Sequence, residues 1–358
     1  MPQAIEWSFA TPKISAFFPS RSPIEPPPSS SVGRHLRTRR GDYHRLVPTT
    51  DLGAALAGVR ALVLDADGVL LYAGQPLPGA VEALAMLDAA AIPYRVVTNF
   101  SLAHRETLAA GVSRQFGRPV SPATIITAAS AAAAYTATHH PGEPLLVFAS
   151  DDAQREWDGQ HLVSPAEAED PATPVAAVVI GDAGDELSFR NMNTAFRRLR
   201  SGAAFIAMHR NLWWVTAKGI TLDSGAVVAG LEEALERRAT ITGKPSPVVF
   251  REALRELAGD VRAAGGPRLR ANEVAMIGDD LESDVAGAHR TGLRGLLVLT
   301  GKTDARGLAS AQGAGRVRGP AVPDAVGESL LVVVARLVGR GAATDGAVNA
   351  IEAGDGPR

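Results

Sequence analysis

Asp65 and Asp67 stand two residues apart at the end of a short apolar run, VRALVLDADG (59–68), with Gly68 directly behind them. In an extended strand, residues i and i+2 point the same way, so the two carboxylates can share one cation. Gly68 lets the backbone turn sharply and present its groups to a phosphate. Carboxylates this crowded repel each other unless a cation pairs them, and a hard divalent ion with oxygen ligands does so. Thr98 and Asn99 close a second run, YRVVTNFS (94–101), with a hydroxyl and an amide able to hold a phosphoryl oxygen. Lys244 lies between Gly243 and Pro245 on a short rigid connection, where it can neutralise a phosphate or a carboxylate nucleophile. Asp279 and Asp280 end EVAMIGDD (273–280), and Asp284 follows four residues later in the opening turns of a helix. Taken singly, each group also suits a turn, a cap or a helix-start charge. In this order, on four strand-like elements, they read as one site.

The runs that carry these residues are short and continuously apolar, as parallel strands covered by helices on both faces should be. PGAVEALAMLDAAAI (78–92) has helical spacing between the first run and the second. Strand, helix, strand is a right-handed crossover unit whose ligands gather beyond the carboxyl ends of its strands. Residues 104–117 and 122–138 read as helices, and then the rhythm restarts. LLVFAS (145–150), AAVVIGD (176–182), a helix at 189–201 and AAFIAMH (203–209) form a second alternating set. The expected organisation is therefore a core of 56–129 and 239–338, interrupted by an inserted domain at 130–238. Residues 231–240 are expected to be a helix leading back to the core, 247–258 another, and the apolar run 330–338 the buried face of a last one. Pro-, Ser- and Arg-rich residues 1–50 are expected to be a disordered leader, with an organelle presequence as the minor alternative, and 339–358 a flexible tail.

The bulk numbers narrow the class. A chain of 358 residues, 46% of them hydrophobic, has length for a large core and one insertion. Its 36 basic and 38 acidic residues nearly cancel, which gives no long-range reason to expect nucleic acid. Cysteine is absent, which excludes disulfides, zinc–thiolate sites and cysteine nucleophiles and suits a reducing compartment. The longest apolar run is too short to cross a bilayer at about 20 residues. A soluble, cytoplasmic protein without a membrane partner is expected. The Gly-x-Gly-x-x-Gly string of a dinucleotide-binding oxidoreductase is missing after the first strand.

With these motifs in place, the chain resembles the haloacid dehalogenase-like (HAD) superfamily. The four motifs are read in LVLDADGVL, VVTNFS, GKPSP and MIGDDLESD, and they span residues 60–300. An insertion between the second motif and the lysine is similar to the C2-capped, NagD-like subfamily IIA. Three stretches, MNTAFRRLRSGAAFIAMHRNLWW, AVVAGLEEALERRATITGKP and MIGDDLESDVAGAHRTGLRGLLVLTGK, look closest to the phospholysine phosphohistidine inorganic pyrophosphate phosphatase branch. The resemblance implies a Rossmann-like parallel-sheet core, an inserted α/β C2 cap domain, Mg²⁺ as cofactor and phosphatase chemistry through an aspartyl phosphate. It implies Asp65 as nucleophile, Asp67 as general acid then base with its carbonyl on the metal, and Lys244 as the residue holding the charge together. Thr98, Asn99 and Gly68 would bind the phosphoryl group. Asp65, Asp67 and Asp279 would hold the metal, with Asp280 or Asp284 completing the ligands or orienting them. Phe100 stands where the family's second motif usually carries Asn.

In the insertion, His209, Arg210, Asn211, Trp213 and Trp214 follow the strand FIAM directly. A cap loop at this position faces the active site in such enzymes, so His209 or Arg210 is expected to meet the far end of the substrate while a tryptophan closes against it. The competing reading packs both tryptophans into the cap core or its rim. Asp182 and Asp185 read as turn residues. The expected substrate is a small phosphorylated metabolite, with pyrophosphate or a phosphoamidate as the alternative and a homodimer left open. A binding protein that has lost turnover is the other class, and the intact acidic and lysine set argues against it. A phosphomutase would share the aspartyl-phosphate step, but the large insertion favours hydrolysis.

Overall fold

A computed structural model describes residues 51–216 and 219–339. The expected leader, and the tail from residue 340, lie outside the described residues.

Six parallel strands form the main sheet, in the order β14-β13-β12-β1-β4-β5. They are β1 (Ala61–Asp65), β4 (Tyr94–Thr98), β5 (Ile125–Thr127), β12 (Val274–Gly278), β13 (Arg294–Val298) and β14 (Ala325–Gly327). β1 is central, in register with β12 from Ala61 opposite Val274 and with β4 from Leu62 opposite Tyr94. Successive residues of β1 serve opposite faces. Leu62 and Leu64 pack with α1 (Ala80–Ala89), Leu330 and Val334, whereas Ala61 and Val63 pack with Val249, Phe250 and Leu257. Both faces are therefore dry, and this is why the strand sequence is continuously apolar. The final helical stretch, 330–339, buries Leu330, Val333, Val334 and Leu337, as its apolar run predicts.

A small antiparallel hairpin, β2 (Leu71–Tyr72) and β3 (Gln75–Pro76), follows β1. α2 (Arg105–Phe116) follows β4. The sequence reading of 122–138 as one helix needs correction: Ile125–Thr127 pair with β4 as the edge strand, and the helix α3 (Ala128–His139) begins only afterwards. Thr127 and Ser130 close a capping box at that junction. Alanine composition masked the change of state, because the two isoleucines are too few to reveal a strand by period.

The insertion builds a second parallel sheet, β11-β8-β7-β6, from β6 (Leu145–Phe148), β7 (Ala177–Ile180), β8 (Ala204–Ala207) and β11 (Thr240–Ile241). One face is covered by α4 (Phe189–Arg200) and α5 (Ser224–Leu235), the other by α3. Between β8 and α5 lies an antiparallel hairpin, β9 (Trp213–Thr216) with β10 (Gly219–Leu222). Two boundaries differ from expectation. β11 belongs to the inserted sheet, although residues from 239 onward read as core, and the helix leading back ends at Leu235. α3 serves both units: Ala131 faces the main core while Ala128, Ala129, Ala132 and Ala133 face the inserted sheet. Small side chains on both sides of one helix let the two sheets approach closely. α6 (Pro247–Ala263) then returns the chain to the main sheet. No helix among the described residues is long and apolar enough to cross a membrane.

Candidate active site

β12, β1 and β4 are neighbours, so their carboxyl ends bring Asp279, Asp65 and Thr98 to one edge of the sheet. Lys244 enters the same point from the connection after β11. Its Nζ lies 2.6 Å from Asp65 Oδ1 and 2.8 Å from Asp284 Oδ1, with all three residues buried. Burial alone would lower the lysine pKa, but Asp284 and Asp65 overcome this and raise it, so the side chain is a fixed cation. Asp284 is fully occupied: its other oxygen accepts from the N–H groups of Asp279 (3.2 Å) and Asp280 (3.1 Å). It therefore orients Lys244 and the turn after β12. That turn opens a π-helical stretch, Leu281–Ala286, whose first N–H groups, on Glu282 and Ser283, bond to the Asp280 carboxylate.

Asp65, Asp279 and Asp284 each place a carboxylate oxygen within 4.8 Å of the others. Burial, and then the charge of Asp284, pushes the Asp65 carboxyl well above its ordinary range; burial also pushes Asp279 up to about 6. Lys244 and Lys302 are the only ammonium groups lining the cleft among the described residues, against six lining carboxylates: Asp65, Asp67, Asp279 and Asp280 on the core side, with Asp284 behind them, and Asp182 and Asp223 on the cap side. A divalent cation with oxygen ligands would relieve that excess, so the donor set fits one. Asp65 Oδ1 already carries bonds from Lys244 and from the N–H of Ala66 (2.6 Å), which leaves its other oxygen for the ion. Asp67 opens onto the cleft, where the low-dielectric walls raise its pKa against the opposing charge of Lys244.

Several assignments change on inspection of the bonds. Gly68 has φ +81°, and a Cβ there would lie 2.1 Å from Asp279 Oδ2, so only glycine leaves room for that carboxylate. Its N–H donates to Leu71 O (2.7 Å) and its carbonyl accepts from Thr300 Oγ1 (2.6 Å). Gly68 thus shapes the loop, and its own groups are not free for phosphate. Asn99 likewise spends its amide on Lys244, accepting from its N–H (2.7 Å) and donating to its carbonyl (3.0 Å). It is a clamp on the lysine. The hydroxyl of Thr98 accepts from Phe100 N–H (3.1 Å), which leaves its proton to donate into the cleft.

The cap residues divide. Arg210 turns away from the cleft and pairs with Glu232 of α5, which also holds Arg238 (2.9 Å) and the N–H of Ala239 (2.8 Å). Trp213 is exposed, while Trp214 and Asn211 line the cleft. His209 is buried at 1% exposure among three oxygen-bearing side chains. Its Nε2 lies 3.1 Å from Asp182, 3.2 Å from Ser101 Oγ and 3.8 Å from Asp223. Ser101 also donates to Asp182, so a residue from the end of β4 ties the core to the inserted domain. Burial opposes charge on His209, but its bond to Asp182 wins and raises its pKa. Burial would also raise Asp182; the bonds from His209, Asp223 and Ser101 hold it well below the carboxylate range instead. Asp223 is pushed up to about 7 by burial and by its bond to Asp182. The reading of Asp182 as a turn residue is therefore too small.

Sequence reasoning missed Ser101, Asp223 and Lys302. Lys302 binds Asp280 through its ammonium and Asp279 through its backbone N–H. It follows the apolar run LLVLTG, the same signature that marked the other strand ends, and was legible there. Ser101 and Asp223 carry no local signal, because only the docking of two sheets brings them together.

Residues 62–162 match the family model of haloacid dehalogenase-like hydrolases, and residues 241–330 match a second, HAD-hydrolase-like model. Bovine phospholysine phosphohistidine inorganic pyrophosphate phosphatase is 34% identical over 256 residues, covering 70% of this chain and 86% of that protein. Human haloacid dehalogenase-like hydrolase domain-containing protein 2 is 33% identical over 249 residues, covering 70% and 87%. Among solved structures, p-nitrophenyl phosphatase from Archaeoglobus fulgidus superimposes with a TM-score of 0.66 at 26% identity, over 77% of this chain and 98% of that one. Glycerol phosphate phosphatase from Mycobacterium tuberculosis in complex with magnesium gives 0.63 at 25%, over 78% and 77%.

Proposed function

Because the chain belongs to the haloacid dehalogenase-like hydrolases, in their C2-capped branch, and is an enzyme acting on phosphate esters, we propose that it is a magnesium-dependent phosphatase working through an aspartyl phosphate on Asp65. The observation that carries this reading is the position of Lys244 Nζ between Asp65 and Asp284, beside Asp279 at the mouth of a cleft. A carboxylate attacks a phosphate dianion poorly because both are negative, and Lys244 supplies a fixed positive charge at the point of approach. Asp65, Asp279 and the Asp67 carbonyl would hold Mg²⁺, whose charge would stabilise the equatorial oxygens of the transferring group.

Attack by Asp65 forms a new P–O bond while the bond to the leaving oxygen breaks. Asp67, with its raised pKa, gives that oxygen its proton, and the hydroxyl of Thr98 donates to a phosphoryl oxygen. Asp67, now ionised, takes a proton from water as the water attacks phosphorus and the bond to Asp65 breaks. Inorganic phosphate leaves and both aspartates return to their starting states. The ionised Asp65 is the competent form; burial favours its neutral form, Lys244 opposes that, and a bound Mg²⁺ would add its charge on the same side as Lys244.

The proposed substrate is a small phosphorylated molecule; neither nucleic acid nor a membrane is part of the reading. The absence of cysteine suits a cytoplasmic setting. A second reading, hydrolysis of pyrophosphate or a phosphoamidate, rests on the likeness to the bovine enzyme of that name. A panel of phosphomonoesters, phosphoamidates and pyrophosphate, assayed with Mg²⁺, with Ca²⁺ and with chelator, tests both. Turnover should require Mg²⁺ and fall in Ca²⁺, whose looser geometry misplaces the reacting groups. Full activity in chelator rejects the proposal.

A further inference from the structure

A second cavity, of about 550 Å³, opens from the active-site cleft beneath α2. The two spaces share Asp67, Thr98, Phe100 and Trp214, so they adjoin at the proposed proton donor. Beyond that mouth the second cavity is walled mainly by aliphatic and aromatic side chains, among them Leu70 from the loop after β1, Val96 of β4 and Val112 and Phe116 of α2. Its volume falls in the range of small-molecule pockets, about 300–1,000 Å³. Leu84, Val96, Phe116 and Ile125 of this lining also belong to the main hydrophobic core, so the cavity is a gap in that core and not a surface groove. Leu108 and Val112 remain only partly buried on the helix face that lines it.

Position decides what it would hold. Asp67 protonates the leaving oxygen, so the group attached to that oxygen must start beside Asp67. The space that begins there and runs under α2 is apolar, whereas the cleft on the cap side carries Asp182, His209 and Asp223. We propose that the cavity under α2 is a leaving-group subsite, and that this enzyme prefers phosphomonoesters of apolar alkyl or aryl alcohols. The proposal rests on the phosphatase reading and gives it a substrate class. It also sets esters above pyrophosphate, because Arg114 is the single cation in a lining that is otherwise mostly apolar and would desolvate a charged second phosphate. Trp214, at the mouth of both spaces, would close over the ester as it enters.

Gly111 offers a direct probe. It lies on the α2 stripe of Leu108 and Gln115, lines the cavity, and a Cβ there would meet no atom within 4 Å. Leucine at this position should fill the subsite while favouring the helix. In the parent enzyme, kcat/KM should rise from methyl to hexyl phosphate by about three- to fourfold per buried methylene, until the cavity is full. In Gly111→Leu the hexyl-to-methyl ratio should fall at least tenfold, with an unchanged or higher Tm. Binding is read separately by the thermal shift that methyl- to hexylphosphonate produce with Mg²⁺, which needs no turnover. A flat series with measurable turnover overturns the subsite and leaves the phosphatase standing. A chain-length gain that survives Gly111→Leu places the alkyl group elsewhere and also overturns it. No turnover on any ester rejects the phosphatase reading; phosphonate shifts that grow with chain length and vanish in Gly111→Leu would still support the subsite.

Discussion

Each of the two parallel sheets ends in a knot of buried charge, and the knots are built differently. At the main sheet, Lys244, carried in on the connection after β11, sits between Asp65 at the end of β1 and Asp284 in the helical turn after β12. At the inserted sheet, His209 sits among Asp182 and Asp223, and the fourth member, Ser101, reaches over from the core. The first knot fixes Asp65, the proposed nucleophile, against a cation. The second joins two domains across the mouth of the cleft. Chemistry should therefore fail when the first is altered, while alignment and pH response should change when the second is.

The largest effect should come from Asp65→Asn. The amide keeps the shape and loses the attacking charge, so turnover of p-nitrophenyl phosphate should fall by at least about 10⁴-fold with the fold intact by circular dichroism. Near-parental rates in a preparation shown by mass spectrometry to be free of deamidation would remove Asp65 as nucleophile. Lys244→Met comes next. It leaves Asp65 and Asp284 buried without their cation, so kcat should drop by about 10²–10³-fold and stability by about 3–5 kcal/mol. A denaturation midpoint equal to the parent's would mean that the knot is not the structural unit the distances suggest.

Alterations at the cap should be smaller and of another kind. Ser101→Ala removes the tie from core to cap that lies at the cleft, while those from His104 and Arg105 to Asp152 and Glu156 remain. A loss of about two- to tenfold in kcat/KM, carried mostly by KM, is expected. A pure kcat effect would place Ser101 in the chemistry instead. Asp223→Asn tests the pH response. The folded pKa of Asp223 is raised from 3.8 to about 7, so the folded state binds its proton more tightly than the unfolded state. Its stabilising contribution is thus complete below about pH 4 and is lost as pH rises to about 7. His209, also raised, acts with the same sign above its ordinary value of 6.5. The Tm of Asp223→Asn relative to the parent should therefore climb from pH 5 to pH 7 and level off above; a constant difference would show that the carboxyl does not share a proton. Arg210→Ala should do least, within about twofold on any substrate, because Arg210 faces Glu232 and not the cleft. Selective loss on substrates with an anionic far end would return Arg210 to the pocket.

The sequence by itself determined the order in which the candidate site residues fall along the chain. Asp65, Thr98, Lys244 and Asp279 each end a locally recognisable element, and parallel strands covered on both faces must gather such tips at one edge. The main strands, their helices and the existence of an insertion were legible for the same reason, because periodicity and strand tips are local properties. What each polar side chain does with its bonds was not local. Asn99 and Gly68 carry the right types for phosphate, yet Lys244, Leu71 and Thr300 take up their groups. Arg210 could meet a substrate or a carboxylate in the cap, and the placement of Glu232 on α5 chose the second. Ser101, Asp182, His209 and Asp223 come from the ends of four elements in two domains, with separations that no motif spans. Their cluster, and the cavity under α2, exist only because elements distant in sequence dock, the two sheets along the alanine faces of α3 and α2 against the main sheet. Both follow from packing distances between elements, which local sequence spacing does not encode.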